Sequence, residues 1–331
     1  MSTITESVRG GSKSDLSKGI SLALITALVS GISVFANDSA LKLADATAYT
    51  LAKNLVAVLF LVVIACVFAF KEIKTIRSLS KKQILYLVAI GIIGGGVPFA
   101  MFFWGLKLGG AAISSFIYRS LFVFAGVFGY LVLKERPEPK DIIAGFVILA
   151  GNALLIPGDL AFGLPQALVL GATMLWALEY TISRKAMTTI SIDPKIVMIS
   201  RLAIGSTILI ALMAFIGDLG AIGQLAAEPS MLIWLVVTSS LLSAFMLAWY
   251  STLRYLPVLK AASIFTIGGV ITAILELLFM GKAISPTAGI GLALILIGAV
   301  MVARLSAISK AIADAKDRIT FESRKMFFGV D

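Results

Sequence analysis

The sequence predicts an all-α polytopic membrane protein of ten transmembrane helices, arranged as two inverted five-helix repeats. Three observations predict it. Hydrophobic residues make up 59% of the 331 positions and charged ones only 14%, with a mean hydropathy of +1.02, whereas soluble domains carry about 25% charge. The apolar residues come in blocks: Gly19–Ala36, Gln83–Leu106, Leu160–Leu178, Pro229–Leu253 and Ala283–Ala303 each lack Asp, Glu, Lys and Arg. About 18 such residues cross a hydrocarbon core as a helix. The basic residues are also one-sided. With ten spans drawn, 22 of the 28 Lys and Arg fall on one face, and only Lys42, Lys107 and Lys282 on the other.

The elements follow in chain order. Residues 1–17 form a polar N-terminal tail. Span 18–37 comes next; it is too long for a signal-peptide core and has no small-residue cleavage site. It ends at Asn37-Asp38, read as a helix end. Spans 47–70 and 83–104 follow. Gly94-Gly95-Gly96 and Pro98 loosen the second of these, because proline removes a backbone hydrogen bond. Spans 110–133 and 140–156 complete a first repeat over 18–157. Spans 164–184, 194–216, 231–252, 258–280 and 285–304 make a second over 164–304, with Gly268-Gly269 in a place comparable to the earlier glycines. The tail 305–331 carries Leu305, Ile308, Ile312, Ala315 and Ile319 at alternating spacings of 3 and 4, flanked by Lys and Arg. It reads as an amphipathic helix on anionic lipid headgroups, with a homodimer contact as the alternative to a monomer.

Both termini are placed in the cytoplasm of a plasma membrane by the excess of Lys and Arg there. A shift of 147 residues aligns Leu106-Lys107 with Leu253-Arg254, Pro139 with Pro286 and Gly151 with Gly298. Five spans per half is odd, so the halves lie in opposite orientations, and a substrate site is expected near the midplane between them.

Composition excludes several chemistries. There is no His for a triad, a His-ligated metal or a His relay, and the single Cys66 allows no intrachain disulfide or cysteine cluster. No phosphate-binding G-x-x-x-x-G-K-[ST] loop occurs. No cofactor, metal or catalytic constellation is expected, so the chain reads as no enzyme. The net charge of +10 is an orientation signal rather than a nucleic-acid footprint.

Five ionisable residues remain inside spans: Lys53, Arg119, Glu179, Arg201 and Glu276. Charge at such depth costs about 2.5–3.5 kcal/mol on insertion scales, so each needs a partner or a watery cavity. Glu179 and Arg201 sit at similar depth on consecutive antiparallel spans. They are either a structural ion pair or an inner gate and proton site. Arg119 follows Ser114, Ser115 and Tyr118 in the stretch SSFIYRS. A mid-depth Arg among hydroxyls suits a carboxylate or phosphate through its bidentate fork; pairing with Glu276 is the alternative. Arg119, Tyr118, Ser115, Trp176 and Tyr180 are the candidate substrate contacts. Glu276, Glu179, Arg201 and Lys53 are the candidate coupling or gating residues. Trp104 and Tyr250 either line a cavity for an apolar moiety or, lying near span ends, anchor an interfacial aromatic belt.

Three stretches resemble the ten-helix, EamA-type members of the drug/metabolite transporter superfamily. They are WGLKLGGAAISSFIYRSLFVFAGVFGYLVLKE at Trp104–Glu135, MLWALEYTISRK at Met174–Lys185, and the glycine-containing tail helices Asp141–Ile156 and Thr287–Ala303. The sequence departs from that pattern at Phe122 and Gly269, where Pro is usual before the acidic turn, and at Lys282, where Glu is usual. The resemblance implies a gradient-driven permease of small organic metabolites, often an exporter of amino acids or related compounds. The remaining alternatives are a non-transporting receptor or scaffold and an intramembrane lipid-modifying enzyme.

Overall fold

The computed structural model describes residues 13–41, 45–68, 78–109, 111–155, 162–216 and 228–304, with isolated positions 220, 223 and 225. All regular structure among them is helical. Helix α1 spans Lys13–Leu41 and α2 spans Ala46–Phe68. Helix α3 runs from Lys81–Ile90 through a π-helical turn at Gly91–Gly96 into Val97–Gly109. Helix α4 joins Ala111–Arg119 to Leu121–Leu133, and α5 spans Pro139–Ala153. Then come α6 (Leu164–Thr188), α7 (Pro194–Ile216) and α8 (Pro229–Tyr255). Helix α9 joins Val258–Phe265 to Ile267–Met280, and α10 is Pro286–Arg304.

Each rod occupies one of the ten expected spans. Seven hold a stretch long and apolar enough to cross a bilayer. The other three fall short for separate reasons. The apolar part of α2 is only Ala48–Val63, α5 has 15 residues, and α6 carries Glu179, Arg184 and Lys185. At the other end of the scale, α1 is longer than its apolar block and runs on through Asn37, which does not end the helix. The Asn37 amide donates to the Ser33 carbonyl at 2.6 Å, one turn back, so the polar side chain is satisfied without leaving the helix. The C-terminal tail, expected to lie on lipid, is outside the described residues, as is the side chain of Cys66.

The packing follows an exchange of the two halves. Pairing α1 with α6, α2 with α7, α3 with α8, α4 with α9 and α5 with α10, the most extensive contacts have mates. Helix α1 packs on α8 as α6 packs on α3, and α1 on α9 as α6 on α4. Likewise α2 packs on α8 as α7 packs on α3, while α2 meets α7 and α4 meets α9 across the axis. Helices α5 and α10 meet through glycines, with Gly151 against the Gly291 carbonyl and Gly298 against that of Ala144. Small residues let helices approach where lipid supplies no hydrophobic drive for association.

Local details repeat as well. Helix α4 breaks at Ser120, whose hydroxyl donates to the Ile117 carbonyl at 2.6 Å. Helix α9 breaks at Thr266, whose hydroxyl donates to the Ser263 carbonyl at 2.6 Å. A hydroxyl competing for a carbonyl three residues back bends a helix. Both rods also end in a left-handed residue, Lys134 (φ 58°) and Gly281 (φ 63°), which are 147 positions apart. Glycine takes that conformation freely, whereas a side chain makes it unfavourable by about 1–2 kcal/mol. Lys134→Gly is therefore expected to stabilise the protein by up to about 1 kcal/mol. A lower thermal midpoint for that variant would show that the Lys134 side chain compensates the strain.

Candidate functional site

The glycines of α3 set the geometry. A π-helical turn opens the backbone ladder and leaves a carbonyl seeking a donor. The Gly94 carbonyl finds one in the Trp176 indole of α6 at 2.9 Å. Without a side chain at Gly94, the α6 carboxylate of Glu179 packs straight onto the α3 backbone; a Cβ there would stand 2.2 Å from the Glu179 Cγ. One residue on, Gly95 faces Gly205 and the Arg201 carbonyl of α7, and its Cβ would meet that carbonyl oxygen at 2.3 Å. Three rods thus close around one buried charge pair.

Glu179 is wholly buried and Arg201 is 2% exposed. The Glu179 Oε2 lies 3.3 Å from the Arg201 Nε. Its Oε1 accepts from the Ser183 hydroxyl at 2.5 Å, one turn along α6, and from the Tyr250 hydroxyl of α8 at 2.8 Å. The Arg201 guanidinium reaches the Met246 sulfur at 3.5 Å and sits 5.8 Å from the Phe99 ring. Removing one member of such a pair leaves the other stranded in low dielectric, which costs more than the pair itself contributes.

An aromatic wall adjoins the pair. Trp176 has the Phe99, Phe102 and Tyr118 rings at 5.3, 5.3 and 5.2 Å, each inclined or edge-on. Tyr180 lies 4.8 Å from Trp249, which in turn meets Phe245 and Phe265. These separations are those at which ring quadrupoles attract. Tyr118, Trp176, Tyr180, Glu179 and Arg201 therefore share one region.

Arg119 lies beside it on the α4–α9 seam, at the end of the first α4 segment. Its guanidinium lies against the bare backbone of Gly269, with Nη2 3.1 Å from where a Cβ would stand. Glu276 bonds Lys282 at 3.0 Å near the end of its own helix. Lys53 donates to the Asn37 amide oxygen at 2.9 Å, and its backbone carbonyl accepts from the Ser239 hydroxyl of α8. Neither joins the central group. The Ser115 side chain is outside the described residues.

The sequence reading missed two features. Tyr250, left open between a belt anchor and a cavity residue, is fully buried and holds Glu179, because the polar face of α8 turns into the bundle. The second is a clamp between the repeats on the face carrying Lys18, Lys140 and Arg254. There Glu135 pairs with Arg184 and accepts from the Val258 amide at 3.1 Å, while Arg184 also donates to the Leu253 carbonyl at 2.5 Å. Beside it, Lys260 reaches Glu138 at 3.1 Å and Asp141 at 3.5 Å. The α4–α5 turn of one repeat so holds the α8–α9 turn of the other. The signal available was the left-handed turn followed by an acid, with an Arg five residues after Glu179.

Among the described residues no group of three or more Cys, Asp or Glu side chains is arranged to hold a metal. The comparisons with known proteins bear on the whole chain. The EamA-like transporter family matches twice, over residues 17–156 and again over 164–304. The chain belongs to the EamA-like transporter family. It is thus a multi-pass membrane protein of the drug/metabolite transporter superfamily. A WAT1-related protein of Arabidopsis thaliana is 32% identical over 78 residues, which are 24% of this chain. The matched part is about a fifth of that relative, 21% of its length. A solved crystal structure superposes with a TM-score of 0.71 at 16% identity, covering 88% of this chain and 98% of that one, and so shares the fold.

Proposed function

We propose that this EamA-like transporter moves a small organic solute by alternating access, coupled to protons, with the basic face in the cytoplasm. The observation that carries the reading is the buried Glu179–Arg201 pair, held by Ser183 and Tyr250 against the glycine turn of α3. Two charges placed that deep are costly, and ionisable residues inside a membrane commonly mark substrate paths and proton relays. A carboxylate with one arm on an Arg and the other on two hydroxyls has a partner set for each protonation state. Solute binding beside Arg201 frees Glu179 to take a proton, and solute release restores the pair.

The solute contacts we assign are Arg119, Tyr118, Ser115, Trp176 and Tyr180. The aromatic wall suits an apolar moiety, and the guanidinium of Arg119, over an unhindered backbone, suits an anionic group. Lys53 and Glu276 serve outer positions rather than the centre. The breaks at Ser120 and Thr266, at matched places in the two repeats, are the hinges. An amino acid or related compound fits, and export matches what the family resemblance implies.

Screening purified protein for thermal stabilisation by amino acids, nucleosides, phosphosugars and quaternary amines tests the solute class. Stabilisation by cations but not anions would remove Arg119 from the site. The clamp gives a second expectation. Glu135→Gln loses the ion pair and keeps an acceptor for Val258, while Glu135→Ala loses both. Thermal midpoints should fall in the order wild type, Gln, Ala, with about 1–3 kcal/mol lost in the last. Equal midpoints would deny the clamp its role.

A further inference from the structure

A cleft of about 310 Å³ opens on the basic face between the start of α1, the start of α7 and the end of α8. Its polar wall carries Lys18, Lys195 and Arg254 with Ser251, against one acid, Asp193. Three features set it apart from scattered interfacial lysines. The three cations come from three different helices and face one hollow. The Lys18 ammonium is 5.0 Å from the Tyr255 ring centroid, which holds it at the rim by a cation–π contact. Asp193 is engaged in the helix start, its carboxylate accepting from the Lys195 amide at 2.8 Å at the positive end of the α7 dipole. Met198, buried at the cleft floor, closes it toward the bundle.

We infer that this cleft is a binding site for a phosphate group at the headgroup level of the bilayer. Lys18 lies one turn into the span Asp15–Asn37, Lys195 beside the start of Pro194–Phe215 and Arg254 beside the end of Pro229–Tyr255, so all three are span-end residues, at the depth expected for lipid phosphates. An excess of two positive charges attracts a phosphate anion, and the Arg254 fork and Ser251 hydroxyl supply directed donors. Two sources share this chemistry, an anionic lipid headgroup and a soluble phosphomonoester. The hollow holds either a glycerophosphate head or a small free ester.

The test uses full-length protein in detergent. One arm measures retained phosphatidylglycerol by native mass spectrometry after exchange against phosphatidylcholine. The other measures the thermal shift with sn-glycerol 3-phosphate. Wild type should retain the lipid or shift with the ester, and Lys18→Gln/Arg254→Gln should weaken that response at least tenfold. Lys18→Arg/Arg254→Lys should restore it, and Arg136→Gln, an exposed cation of the same face, should leave it unchanged. Both substituted side chains are exposed, so the variant should elute and melt like wild type. Lipid retention alone identifies a headgroup site, and ester binding alone identifies a soluble ligand. Absence of both responses would overturn the inference. Equal losses in the Arg136 control would also overturn it, reducing the cleft to diffuse surface charge.

Discussion

Arg201→Met should lower stability by about 3–5 kcal/mol and abolish transport, while Glu179→Gln/Arg201→Met regains most of the stability and none of the transport. The asymmetry follows from the burial of the pair. Methionine fills much of the Arg201 volume next to Met246 and Phe99, so the loss comes from the carboxylate left behind and not from a void. Glu179 keeps its bonds to Ser183 and Tyr250, but those two hydroxyls do not balance its charge. An unpaired buried charge costs about 3–5 kcal/mol, whereas replacing both partners with neutral groups is often close to neutral. Glutamine still accepts from Ser183 and Tyr250, which is why the double variant recovers. Thermal midpoints of the purified variants read the result. A single Arg201→Met variant as stable as wild type would mean that Glu179 does not depend on Arg201 to balance its charge.

Gly95→Ala should also destabilise the protein, for a backbone reason. A Cβ at Gly95 would stand 2.3 Å from the Arg201 carbonyl and 2.8 Å from the Gly205 Cα, both main-chain atoms that no rotamer change removes. Helices α3 and α7 would have to separate, taking Arg201 with them. Overpacking a tight contact costs about 1–3 kcal/mol even where side chains can shift, and occasionally more. The expected outcome is poor insertion or a midpoint lower by at least that amount. Gly269→Ala is a useful contrast. The three atoms nearest its new methyl group all belong to the guanidinium of Arg119, the far end of a flexible chain, so the protein should remain folded while any solute contact made by Arg119 is disturbed.

Much of the architecture was legible because the bilayer enforces it. Blocks without charge have to be helices, and counting five per half fixes the opposed orientation. The five in-span charges were also visible as exceptions. Whether they met was not, since periodicity along one helix says nothing about the rotation of its neighbour. Glu179 and Arg201 join because Gly94 and Gly95 bring α6 and α7 onto α3. Glu276 bonds Lys282 at the following turn and acts on Arg119 only as a nearby opposite charge. Tyr250 could not be told from a belt tyrosine on position alone, as both lie near a helix end. The Glu135–Arg184 clamp crosses from one repeat to the other, and no spacing within either repeat records it.

The most direct test of proton coupling through Glu179 is solute-driven proton movement in liposomes loaded with a pH-sensitive dye. The solute is whichever compound of the screen stabilises the protein. Wild type and Glu179→Gln are reconstituted at equal density, with solute binding of both confirmed by thermal shift. Solute should move protons through wild type, while the variant binds solute and moves none. Equal proton movement in both would contradict the account.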